Sequence, residues 1–120
     1  MKLVLGEPER GALRECLGEW DGYVSSALLG TESVRACARQ GDTYAADARE
    51  WLGDIALLPL DDEVLGIAAS LAPARLRTLD ALHLATAMTV RGDIGAFVAY
   101  DDRLVEAADR HGLAVARPGR

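Results

Sequence analysis

Short apolar runs alternate along the chain with longer stretches in which apolar residues recur every three or four positions, the two periods of strand and helix. Glu7-Pro8-Glu9 reads as a helix start, because proline suits the first helical turn. Leu13, Cys16, Leu17 and Trp20 then repeat at helical spacing up to a break at Asp21-Gly22. Tyr23-Val24-Ser25 predicts a short strand. Ser26 is suited to cap a helix running to about Arg39, and Gly41 ends it. Thr43 to Leu52 predicts a further helix and Ile55 to Leu60 an apolar strand. Asp61 caps a helix bearing Val64, Leu65, Ala68 and Leu71, and Pro73 breaks it. Arg75-Leu76-Arg77 leads into a helix that begins near Thr78 and stops at Arg91-Gly92. A strand at Ala96–Tyr100, a helix at Asp102–Arg110, Gly112 and a last strand near Leu113–Val115 complete the reading.

Strands that alternate with helices predict an α/β domain whose parallel sheet is covered on both faces. Such sheets bind ligands beyond the carboxyl ends of their strands. The chain has 120 residues, enough for one domain with a sizeable core but not for two. No apolar run reaches the ~18 residues of a membrane span, and the opening Met1–Gly6 is too short for the apolar region of a signal peptide. Cys16 and Cys37 fall inside helix patterns without metal-ligand spacing, which suits small core residues in a reducing cytoplasm.

The helix from Thr78 carries the most chemistry. Between Ala81 and Val90 it holds no Asp, Glu, Lys or Arg, yet Asp80 sits in its first turn. A helix apolar on all sides belongs in a core, and a carboxylate there is costly unless a cation meets it. Asp101 directly follows the Ala96–Tyr100 strand, and Glu32 lies in the helix after the Tyr23–Ser25 strand. These three acids are expected to converge at one edge of the sheet. Each also has a plainer reading: Asp80 as an acid at the positive end of a helix dipole, Asp101 as an N-cap, and Glu32 as a solvated acid beside Arg35. Asp102 competes with Asp101 but suits a surface acid in a first turn. His83, one turn after Asp80, suits a buried, hydrogen-bonded histidine better than a metal ligand. Ser25 and Thr78 offer hydroxyls near the acids.

Charge narrows the partners. The net charge is −6, which argues against bulk binding of nucleic acid through phosphate neutralisation. It leaves room for an enzyme that holds one phosphate through a metal and a few arginines. All basic residues but Lys2 are arginines, whose forked guanidinium suits phosphate. Arg35, Arg75 and Arg77 are the candidates for substrate contact, with solvated faces as the alternative.

Val24-Ser25-Ser26 followed by Glu32, then Leu79-Asp80-Ala81-Leu82-His83-Leu84-Ala85-Thr86-Ala87, then Ala99-Tyr100-Asp101-Asp102-Arg103-Leu104 with Ala107-Ala108 and Gly112-Leu113 resemble, in order and spacing, the PIN-domain ribonucleases. The likeness is to the VapC-type toxins of bacterial toxin–antitoxin pairs. It implies a three-layer fold with a parallel sheet flanked by helices, in a cytoplasmic protein. It further implies Mg²⁺- or Mn²⁺-dependent hydrolysis of RNA phosphodiesters, with Asp80 and Asp101 as metal ligands and Glu32 binding directly or through water. A homodimer and a VapB-type antitoxin are the implied partners. The family pattern opens on a strand that delivers an aspartate. Here the match starts later, at Lys2-Leu3-Val4-Leu5-Gly6-Glu7-Pro8-Glu9. The expectation is therefore a domain over residues 1–120 that is N-terminally incomplete, with its first central strand and first catalytic acid missing.

Two further classes stay open. One is a catalytically impaired PIN-like binding module that still pairs with an antitoxin, distinguished by antitoxin binding without cleavage. The other is a phosphoacceptor signalling domain, which needs a lysine near its phosphorylated acid; no lysine follows Lys2.

Overall fold

A computed structural model describes residues 2–5, 23–53 and 55–117 of the chain. Its strands are β1 (Lys2–Leu5), β2 (Tyr23–Ser26), β3 (Ile55–Leu58), β4 (Ile94–Val98) and β5 (Val115–Ala116). They form one sheet in the order β3-β2-β1-β4-β5, with every neighbouring pair parallel. The described helices are α1 (Ala27–Ala38), α2 (Asp42–Leu52), α3 (Asp62–Ser70), α4 (Thr78–Thr89) and α5 (Asp102–Arg110), with a 3₁₀ turn at Arg91–Asp93.

The α/β reading with a parallel, helix-flanked sheet is borne out. The missing central strand is corrected: Lys2–Leu5 fills the centre. Its backbone pairs with β2 through Leu3 and Tyr23 and with β4 through Leu5 and Val98. A gap between β2 and β4 would strand two rows of backbone donors and acceptors inside the sheet. The helix patterns expected between Glu7 and Trp20 lie outside the described residues.

Alternation along β4 and the residues after it divides the core. Phe97 and Ala99 face one layer with Leu71, Leu76, Leu84 and Leu104. Ala96, Val98 and Tyr100 face the other, with Leu29, Leu52 and Ile55. Phe97, Leu84, Leu104 and Leu29 are fully enclosed, and each such side chain stabilises the fold by about 1.5–3 kcal/mol over an exposed one. The α4 helix lies between β2 and α3 and buries Ala81, His83, Leu84, Ala85, Thr86 and Ala87. Its alanines keep it thin enough to pack on several sides. The buried Thr86 hydroxyl donates to the Leu82 carbonyl at 2.9 Å, so it carries no unpaired donor.

Local signals set the helix ends. Asp61 Oδ1 accepts from the Val64 N–H at 2.9 Å and caps α3. After α5, Gly112 takes φ +83°. Its N–H donates to the Asp109 carbonyl and that of Leu113 to the Ala108 carbonyl, a glycine-terminated helix end that turns Leu113 into the core. Strand ends differ from the sequence reading by up to two residues. Ile94, rather than Ala96, opens β4, and β3 stops at Leu58 rather than Leu60.

Candidate active site

Parallel pairing brings all carboxyl strand ends to one edge of the sheet. Ser26 ends β2 and α1 starts at the next residue, so no loop separates strand from helix. Ser26 has the extended backbone of an N-cap but makes no side-chain cap. Its hydroxyl lies 2.7 Å from Nδ1 of His83 on α4. On the other side of the ring, Nε2 lies 2.5 Å from Glu32 Oε1. His83 is 3% exposed and the Glu32 side chain 33%. A neutral ring with its proton on Nε2 satisfies both contacts: Ser26 donates to Nδ1, and Nε2–H donates to the carboxylate. The buried, hydrogen-bonded reading of His83 is borne out.

This arrangement also decides the surroundings of Glu32. Its hydrogen-bond partner is His83, not Arg35. Arg35 is exposed near the end of α1, beside a shallow surface that also includes Arg49 and Leu57. His83 lies three residues after Asp80 on α4, a separation that puts two side chains on one helix face. Asp80 is half-buried in the first turn, where the backbone N–H groups favour negative charge. The imidazole thus ties Glu32 to the helix that carries Asp80.

Asp101 stands beyond the carboxyl end of β4 and caps α5. Its Oδ1 accepts from the Arg103 N–H at 3.0 Å and the Leu104 N–H at 3.2 Å. Asp102, its rival, is a surface acid bound to Arg117 at 2.8 Å, with 93% of its side chain exposed. Arg75 lies on the exposed loop before α4, and Arg77 holds the N-cap position of α4 without a side-chain cap. Ser25 is fully buried and Thr78 exposed.

Among the described residues, no three His, Cys, Asp or Glu side chains converge closely enough to cage a metal ion. The donors at this edge are nevertheless hard carboxylate oxygens, the set that Mg²⁺ and Mn²⁺ prefer. Mg²⁺ is commonly held by only one or two carboxylates, its remaining positions taken by water and substrate phosphate. The residues fit such an open, mostly hydrated site and not a closed one.

The cap and any site role of Asp101 are separable. Asparagine caps a helix as well as aspartate does. Asp101→Asn is therefore expected to leave stability within about 0.5 kcal/mol while metal-dependent cleavage falls roughly 10²-fold. Asp101→Ala should lose the activity and about 1 kcal/mol as well. Urea denaturation beside a cleavage assay checks both; full activity in the asparagine variant would leave Asp101 with the cap alone.

What sequence reasoning could not supply is the partner of His83. Its i+3 spacing from Asp80 was visible, but its union with Glu32 joins residues 51 apart.

Comparison with known proteins agrees with the fold. Residues 1–110 match the PIN domain. The ribonuclease VapC46 of Mycobacterium tuberculosis is 43% identical over 118 residues, covering 98% of this chain and 91% of that protein. The ribonuclease VapC47 of the same species is 38% identical over 123 residues, with 98% and 90% covered. The crystal structure of FitAcB from Neisseria gonorrhoeae superposes with a TM-score of 0.67 at 21% identity, covering 98% of each chain, which supports the fold. With a domain match over most of its length and relatives this similar, the chain belongs to the PIN-domain family, in its VapC-type ribonuclease branch.

Proposed function

We propose that this protein is an Mg²⁺- or Mn²⁺-dependent endoribonuclease that hydrolyses RNA phosphodiester bonds, acting as the toxin of a toxin–antitoxin pair. The near full-length identity to ribonucleases carries the reading. In it, Asp80 and Asp101 hold the cation, and Glu32 joins them directly or through water. When bound, the cation supplies Lewis acidity toward the phosphate and offsets repulsion among the acids. Glu32, with one oxygen engaged by His83, presents its other oxygen to water or cation. Water attacks phosphorus in line; the leaving oxygen departs and ends protonated, giving one phosphate monoester and one hydroxyl. The hydrogen bond to the buried His83 ring restrains the half-exposed carboxylate, so the site is organised before substrate arrives. A homodimer and a VapB-type antitoxin are the proposed partners.

One observation favours the second reading, a binding module that pairs with an antitoxin without cutting: the described residues form no three-ligand cluster. A cleavage assay separates the two. End-labelled single-stranded RNA should be cut with Mg²⁺ or Mn²⁺ and left whole with chelator. A folded protein that cuts with neither ion, yet holds a co-expressed antitoxin, would favour the binding module.

A further inference from the structure

A cleft of about 400 Å³ lies between α5 and the loop joining α3 to α4, away from the His83 cluster. Its rim carries Arg75, Arg103 and Arg110, with Glu106 among them, over a floor that includes Leu76 and Ala107. The floor is buried and all four charged side chains are exposed. Among the described residues, none of the three guanidiniums meets a carboxylate. On a chain with net charge −6, three such arginines around one concavity are an electrostatic exception.

The walls are tied together. His111 Nε2 donates to the Ala72 carbonyl at 2.7 Å, joining the end of α5 to the loop. The Leu76 N–H donates to the Pro73 carbonyl at 2.9 Å, closing a turn beneath Arg75. Leu71 and Leu76 anchor the same loop in the core beside Leu104 and Ala107. Arg103 and Arg110 lie two helical turns apart on one face of α5, about 10 Å along the axis. That spacing lets them meet separate phosphates of one strand. Arg103 follows Asp101 by two residues, so the cleft opens next to the acid at the β4 end and runs away from it.

We infer that this cleft is a phosphate-backbone subsite that holds the RNA strand beyond the bond being cut. The inference rests on the ribonuclease reading above. Guanidiniums bind phosphate oxygens in a bidentate fork. They offer no readout of base identity, so the subsite supplies affinity and direction rather than sequence choice. Glu106 moderates the local charge and weakens the hold on the strand.

The probe is a fluorescein-labelled, single-stranded 2′-O-methyl RNA, which resists cleavage, titrated by anisotropy at several salt concentrations with chelator present. Binding to single strands loses about 0.7 in salt slope per phosphate contact removed. Arg103→Gln/Arg110→Gln should therefore flatten the slope of log K against log salt by about 1.4, and adding Arg75→Gln by about 0.7 more. Glu106→Gln should tighten binding. The substituted side chains are exposed, and circular dichroism verifies that each variant is folded. Slopes and affinities unchanged from the parent, or no oligonucleotide binding by the parent, would overturn the subsite. Cleavage of unmodified RNA by the parent is measured separately. Altered slopes without any parental cleavage would uphold the cleft as an RNA-backbone contact and defeat the ribonuclease reading, and with it the placement beyond a cut bond. Cleavage with unaltered slopes would do the reverse.

Discussion

Asp80→Asn is expected to lower metal-dependent RNA cleavage by roughly 10²- to 10³-fold, the cost of removing one preorganised charged group from a reacting centre. Asparagine matches aspartate in size and nearly in helix propensity, so α4 should form as before. Two small effects on stability oppose each other. The variant loses a favourable charge at the start of a helix, worth about 0.3–1 kcal/mol, and is relieved of holding a carboxylate half out of water. Melting temperature should therefore move little while Mn²⁺ affinity drops. Single-turnover cleavage and calorimetric Mn²⁺ titration check the two halves. Parent-like cleavage, or an unchanged titration, would remove Asp80 from the metal-binding role.

Substitution of His83 should disturb both stability and rate. Alanine leaves a cavity in the packed α4 interface and strips the partner from the buried Ser26 hydroxyl and from one Glu32 oxygen. Together these are expected to cost about 2–4 kcal/mol, a fall on the order of 10 °C in melting temperature. The rate effect tests positioning. With Glu32 no longer held, kcat should fall while KM stays near its parental value, because in the proposed mechanism the carboxylate acts on the reacting centre and not on the bulk of the strand. Glutamine retains an amide donor that can reach Glu32, so His83→Gln should recover much of kcat even if stability stays reduced. If His83→Ala cleaves at the parental kcat per folded molecule, the histidine serves only to hold the core together.

These two residues also mark where sequence reading succeeded and where it stopped. Asp61 and Asp101 were legible as caps because a cap is a contact across three residues, written within one turn of chain. The run from Ala81 to Val90 was legible as a buried helix because its composition admits no solvated face. Ser26 was legible as an N-cap by position, but its hydroxyl turned instead to His83 on another element. Nothing within a turn of Ser26 announces that partner. Lys2–Leu5 was harder still. Four residues are too few to show a period, and their place in the sheet follows from the needs of β2 and β4, which pair with them from more than 15 residues away. Asp80 and Asp101 were read at a helix start and a strand end, where topology directs ligands; the imidazole joining Glu32 to α4 belongs to tertiary structure alone.

The absence of any loop between β2 and α1 has an architectural consequence. Ser26 is fixed at the strand end and Glu32 rides six residues later on the helix that begins at once. Each residue turns a helix by about 100°. Inserting or deleting one residue between Ala27 and Thr31 would swing Glu32 to another side of α1, out of reach of an imaginary line from Ser26 through the ring. Two inserted residues would point it nearly opposite. Length changes are absorbed more readily in the turn from Arg39 to Gly41, which follows α1 and is mostly exposed. Within the span from Ser26 to Glu32 the chain can vary in chemistry at its outward positions, but its residue count acts as a fixed gear ratio between sheet and acid.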